Sequence, residues 1–230
     1  MSFGGKRVWK SLITYLTNVV VFREVQMIIQ KFTQILFKKA RPQKEQFKTL
    51  IQGRKDLLEI YQQLRIRYPQ IQALKTFVET GTFHGETVRK MEPFFERLIT
   101  IEIDLKLHQE ARARHPSPKI LYVLGDSVTE LRKTCQELYH PTLFYLDAHF
   151  SGAGTGKGVK DVPLVEEMEV LGKRPYLDCI IVDDIRLFGT RANQEDWSAV
   201  TRDSILQALG HYELEMFEQG DKLILLKRPI

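Results

Sequence analysis

Thr76-Phe77-Val78-Glu79-Thr80-Gly81-Thr82-Phe83-His84-Gly85 runs from a short strand-forming stretch straight into a turn with two glycines. Thr, Phe and Val favour extended backbone. Gly81 and Gly85 suit a strand-to-helix turn, where a bare backbone can approach a ligand and the first amides of the next helix lie open. The spacing is ExGxxxG, not the GxGxxG of dinucleotide-binding enzymes, so a nicotinamide cofactor loses its best support.

C-terminal to this unit, short apolar runs alternate with helical stretches. Strands are predicted over 98–104, 120–124, 142–147 and 179–183, and helices from about Gly85, then over 105–114, 128–139, 163–171 and 197–209. Such alternation implies a parallel sheet covered by helices on both faces. Two final strands, 212–217 and 222–227, are separated by Glu218-Gln219-Gly220-Asp221. Four residues are too few for a parallel crossover, so this pair must form an antiparallel hairpin. The fold class is α/β, a Rossmann-like, mostly parallel seven-stranded sheet with a helical extension before it.

N-terminal to Thr76 the chain changes character. Residues 1–68 hold fourteen Lys and Arg against four Asp and Glu, and the rest hold twenty against twenty-five, within an overall net charge of +5. Apolar residues recur at helical spacing over 6–40 and again over 43–67, interrupted by Arg41-Pro42 and closed by Tyr68-Pro69. We therefore expect a basic helical extension over 1–70 and a ligand-binding domain over 71–230. The apolar run Leu12–Phe22 is too short to span a bilayer and lacks a cleavage signature. Cys135 and Cys179 have no metal-site spacing and fit a reduced, cytoplasmic chain.

In open parallel sheets, ligands bind beyond the carboxyl ends of the strands. The second strand ends in Glu102-Ile103-Asp104, about 20 residues after the glycine turn, where an acid can hold both hydroxyls of a ribose. Glu102 is favoured for that role and Asp104 for a helix cap. Gly125-Asp126-Ser127 suits either the edge of an adenine or the cap of the next helix. The fourth strand ends in Asp147-Ala148-His149 and the fifth in Asp183-Asp184. His149, two residues past Asp147, can face the same side and reads either as a general base or as a solvated loop histidine.

The order ETGTFHG, TIEID, GDS, YLDAH and VDD resembles the class I S-adenosylmethionine-dependent methyltransferases over roughly residues 76–228. Val78-Glu79-Thr80-Gly81 with the later Asp-Asp pair looks like the macrocin-type O-methyltransferases, and Thr100-Ile101-Glu102-Ile103 like the catechol-type. The resemblance implies a cofactor, S-adenosylmethionine, at Glu79, Gly81, Thr82, Phe83, Gly85, Glu102, Asp126, Ser127 and Asp147. It also implies a divalent cation, Mg²⁺ by the pattern, held by Asp147, Asp183 and Asp184, with Asp147 and His149 at the reacting centre. Three carboxylates brought together would repel unless a cation joined them, and oxygen-only ligands suit Mg²⁺ or Ca²⁺. One departure stands out: where the catechol-type pattern has a lysine just after the strand-four carboxylate, Phe150 stands here.

The expected activity is metal-assisted O-methylation of a small hydroxylated molecule. Its rivals are a metal-independent methyltransferase and a non-catalytic cofactor-binding protein whose basic leader docks on a membrane or partner. The Ser151–Gly158 loop fails as a phosphate loop on spacing and position and reads as a substrate lid. Nucleic acid is not expected as a partner, because the basic residues lie outside the domain that carries the motifs. Peripheral membrane contact through the leader and a homo-oligomer stay open.

Overall fold

The computed structural model describes residues 56–149, 160–192, 195–210 and 212–228. The basic leader before Asp56, and the loop read as a lid, lie outside the described residues. The chain divides into two units, residues 1–52 and residues 53–230, and the second is the one described.

This unit opens with α1 (Leu57–Arg67), whose first turn is capped by Asp56 accepting from Leu58 N–H at 3.0 Å. The cap interrupts the helix expected over 43–67. Leu57, Ile60, Tyr61 and Leu64 bury one stripe against Phe77, Leu98 and Ile181, so α1 completes the domain core. The boundary therefore falls near residue 53, not near residue 70.

After a single 3₁₀ turn (Pro69–Ala73) come β1 (Thr76–Thr80), α2 (Glu86–Met91), β2 (Arg97–Glu102), α3 (Leu105–Arg114), β3 (Ile120–Leu124), α4 (Ser127–Glu137), β4 (Leu143–Leu146), α5 (Leu164–Gly172) and β5 (Cys179–Val182). Two short strands follow, β6 (Arg191–Ala192) and β7 (Glu195–Asp196), then α6 (Arg202–Leu209), β8 (Glu213–Gln219) and β9 (Lys222–Arg228). The helix expected from Trp197 starts at Arg202, because Thr201 and Ser204 form a reciprocal capping box.

The main sheet has the order β3-β2-β1-β4-β5-β9-β8. β1 to β5 are parallel, and the last two strands form the expected antiparallel hairpin, with β9 rather than β8 against β5. Gly220 and Asp221, both at positive φ, make its two-residue turn. Side chains alternate between two cores. Phe77, Leu98, Leu143 and Ile181 face α1 and α2, while Val78, Ile99, Phe144 and Ile180 face α4, α5 and α6. The strand order reverses between β1 and β4, and there the polar strand ends gather. No helix among the described residues is long and apolar enough to cross a membrane.

Candidate functional site

The turn after β1 is held at its backbone. Gly81 N–H and Thr82 N–H both donate to Ile101 O, at 3.0 and 3.2 Å. Phe83 N–H donates to Glu102 Oε2 at 2.8 Å, and Gly85 N–H to Thr82 O at 2.8 Å. The glycines thus do not leave these amides open, as their spacing suggests. Gly81 serves close approach instead: at φ +83°, a Cβ on it would lie 2.4 Å from the carbonyl oxygen of Asp147.

Beneath the turn runs a buried chain of side chains. The hydroxyls of Thr82 and Thr100 meet at 2.6 Å, and Thr100 donates to Glu79 at 2.7 Å. Glu79 is 1% exposed, and burial lifts its pKa to about 8, against the bond from Thr100 and with a push from Glu102. Glu102 accepts from Phe83 N–H on one oxygen and Asp104 N–H (3.0 Å) on the other. Each oxygen keeps a second lone pair beyond these two amides.

Asp104 caps α3 through Leu107 N–H, as expected, and Asp126 caps α4 through Thr129 N–H at 3.0 Å. The cap engages Oδ2 of Asp126. Ser127, next to it, is buried.

The acidic cluster forms because β4 and β5 are neighbours in register, Leu146 beside Val182. Asp147 and Asp183 therefore emerge side by side. Asp183 is occupied on both oxygens: Lys222 Nζ donates to Oδ1 at 2.7 Å, Asp184 N–H donates to the same oxygen, and the Tyr145 hydroxyl donates to Oδ2. Asp184, at φ +57°, pairs with Arg186, which also bridges to Asp221. Among the described residues, Asp147 takes a 3.3 Å contact from Tyr145 and a 3.7 Å approach from His149 Nδ1. Burial first, then Asp183, Asp184 and Glu79, hold the Asp147 carboxyl well above its usual pKa, and Lys222 offsets a part.

His149 does not stand free in solvent. Its side chain is 12% exposed, with Nε2 3.3 Å from Asp184 Oδ2. Its ring lies edge-on to Trp197 at 5.2 Å, and Trp197 is anchored by Nε1 donating to Glu195 at 2.6 Å. Asp147, His149 and Asp184 offer donor atoms within 4.8 Å of one another, and so do Asp183, Asp184 and Asp221. His84 stays outside this group, its ring tilted at 43° against Phe83 in the turn.

Sequence reasoning overlooked Tyr145, Lys222, Trp197 and Glu195. Lys222 follows a visible turn, but nothing in the sequence says which hairpin strand borders β5. Trp197 reaches His149 through irregular backbone between β7 and α6, which leaves no periodic signal.

No family model matches this sequence, and no curated protein sequence matches it. Solved structures match in fold. A candidate caffeoyl-CoA O-methyltransferase of Staphylococcus aureus superposes with TM-score 0.53 at 15% identity, covering 85% of this chain and 91% of its own. A candidate O-methyltransferase of Klebsiella pneumoniae gives 0.50 at 14% identity, covering 77% and 83%. Spermidine synthase of Thermotoga maritima gives 0.50 at 12% identity, covering 75% of this chain and 61% of that one. The described domain has the Rossmann-like methyltransferase fold.

Proposed function

We propose that this chain is an S-adenosylmethionine-dependent methyltransferase that methylates a hydroxyl of a small molecule beside a divalent cation. The observation that carries it is the contact of the Gly81 turn with Asp147 across the β1–β4 switch point. It puts the turn that would seat the cofactor against the carboxylates that would seat the acceptor. Glu102 would take the ribose hydroxyls, and the Asp126–Ser127 turn the adenine. Thr82 and Phe83 shape the turn, and Glu79 supports it from below. Methyl transfer then needs mainly alignment of the acceptor oxygen with the sulfonium carbon.

The residues present fit a cation. Among the described residues, the carboxyls of Asp147, Asp183, Asp184 and Asp221 gather with two cations, Lys222 and Arg186. Asp147, His149 and Asp184 are the donors that would hold the ion, and Asp183 stays with Lys222. The all-carboxylate set expected from the resemblance would have to break that ion pair. A bound ion would supply a Lewis acid that lowers the pKa of the acceptor hydroxyl. An imidazole among the carboxylates favours a transition metal such as Mn²⁺ over Mg²⁺.

A second reading has its own support. Asp183 has Lys222, Asp184 has Arg186, and His149 lies between Asp147 and Asp184. In this reading no ion is needed and His149 takes the hydroxyl proton as general base. Calorimetric titration with S-adenosylmethionine, then with Mn²⁺ and Mg²⁺, tests both. Absent cofactor binding overturns the proposal. Cofactor binding without ion binding leaves the metal-free form.

A further inference from the structure

β3 closes one edge of the main sheet, and its pairing with β2 decides which of its backbone groups face outward. Leu98 N–H donates to Lys119 O at 2.8 Å, and Gly125 N–H to Glu102 O at 2.9 Å. The odd-numbered residues of β3 therefore bond to β2, while Ile120, Tyr122 and Leu124 turn their N–H and C=O groups away from the sheet. Among the described residues no strand lies beyond them. Ile120 N–H bends back to Ser117 O at 3.3 Å, and the ladder of Tyr122 and Leu124 faces out.

The side chains do not guard this edge. Ile120-Leu121-Tyr122-Val123-Leu124 carries no charge, and Leu121 and Leu124 are 48% and 43% exposed. Leu121 shares the face of Val123, where α4 packs over β2 and leaves the β3 side open. The opposite edge differs. β8 carries Glu213, Glu215 and Glu218, with Arg228 paired to Glu215 and Arg202 to Glu218. Charges of that kind keep an edge strand from pairing with another chain.

We propose that β3 is an interface between two copies of this chain, paired antiparallel about a two-fold axis through Tyr122. Such an axis runs perpendicular to the sheet, so residues opposite one another project from the same face. Hydrogen bonds across it join the outward-facing residues, and centring on Tyr122 uses all three. Tyr122 exchanges two bonds with Tyr122 of the second copy, and each Leu124 N–H meets an Ile120 carbonyl. Leu121 then packs beside Val123 of the second copy, and Leu124 beside Ile120, which covers both exposed leucines. Charge agrees with this register. Lys119 precedes the apolar run and Asp126 follows it, so antiparallel pairing sets a cation next to an anion at each end. The pairing does not depend on the methyltransferase reading.

Sedimentation of the full chain across a dilution series tests it, on the wild type, Leu121→Lys and Met216→Lys. The wild type is expected to sediment as a dimer that dissociates on dilution. Leu121→Lys should be monomeric throughout with an unchanged circular dichroism spectrum. Met216→Lys, the matching change on the β8 edge, should stay dimeric. Amide exchange followed by NMR gives a readout that needs no variant. Tyr122 and Leu124 N–H should gain protection as concentration rises, while Leu121 and Val123 N–H, bonded to β2, stay protected at every concentration. A monomeric wild type, a dimer that survives Leu121→Lys, or a dimer lost in Met216→Lys overturns the proposal. So does exchange at Tyr122 and Leu124 that ignores concentration. Should Leu121→Lys not fold, the exchange readout decides alone.

Discussion

Lys222 Nζ stands 2.7 Å from Asp183 Oδ1, both side chains largely buried, so the first residue of β9 neutralises the acid at the end of β5. Breaking such a pair strands a charge. Lys222→Met should destabilise the domain by ~3 kcal/mol. It should also free Asp183 and tighten Mn²⁺ binding. Urea unfolding with and without Mn²⁺ measures both effects, and unchanged ion affinity would mean that Asp183 stays outside the ion's reach.

Gly81→Val places a branched side chain where φ is +83° and a Cβ already meets Asp147 O at 2.4 Å. Backbone cannot yield there as a flexible side chain can. The variant should lose the thermal shift given by S-adenosylmethionine and ~2–4 kcal/mol of stability. A normal ligand-induced shift would show that the cofactor binds elsewhere.

Stability should fall as pH rises through neutrality. The carboxyl of Glu79 is raised from its ordinary 4.5 to about 8, so the folded state keeps a proton that the unfolded chain gives up. That contribution is fully present below about 4.5 and is lost progressively up to about 8, an effect of ~5 kcal/mol. Glu167, at about 7, acts in the same direction. Urea unfolding from pH 5 to 8 should show the decline, and Glu79→Gln should flatten it. A slope unchanged in that variant would assign the decline to other groups.

At the opposite end of the sheet, Arg174 donates to Asp178 and to the carbonyls of Leu138 and His140. Arg174→Ala would strip the buried Asp178 carboxylate of its two-pronged ion pair and the Leu138 carbonyl of its donor. The expected loss is ~3–5 kcal/mol. Cofactor affinity per folded molecule should not change, because none of these groups reaches the switch point. A calorimetric affinity that fell with the melting temperature would contradict that separation.

The parallel strands were legible because each is a short apolar run with both faces buried, such as Cys179–Val182. Their ends were less so. β2 stops at Glu102, not Asp104, because the Glu102 carboxylate folds back on Asp104 N–H. The break at Asp56 is hidden by Leu50, Leu57 and Ile60, which keep helical spacing across it. β6 and β7, two residues each, have no period to detect. Within the site, strand ends named the acids, but whether an acid is free or paired depends on residues distant in sequence. Lys222 against Asp183 and Trp197 against His149 are both of that kind.

Ile101 O receives Gly81 N–H and Thr82 N–H, and Glu102 receives Phe83 N–H, with no ligand required. A loop already locked in this way has little entropy left to surrender on association. Capture of the cofactor should then proceed in one kinetic step at a rate proportional to its concentration, without the plateau of a slow rearrangement. Discrimination among adenosyl compounds would reside in how fast each one leaves.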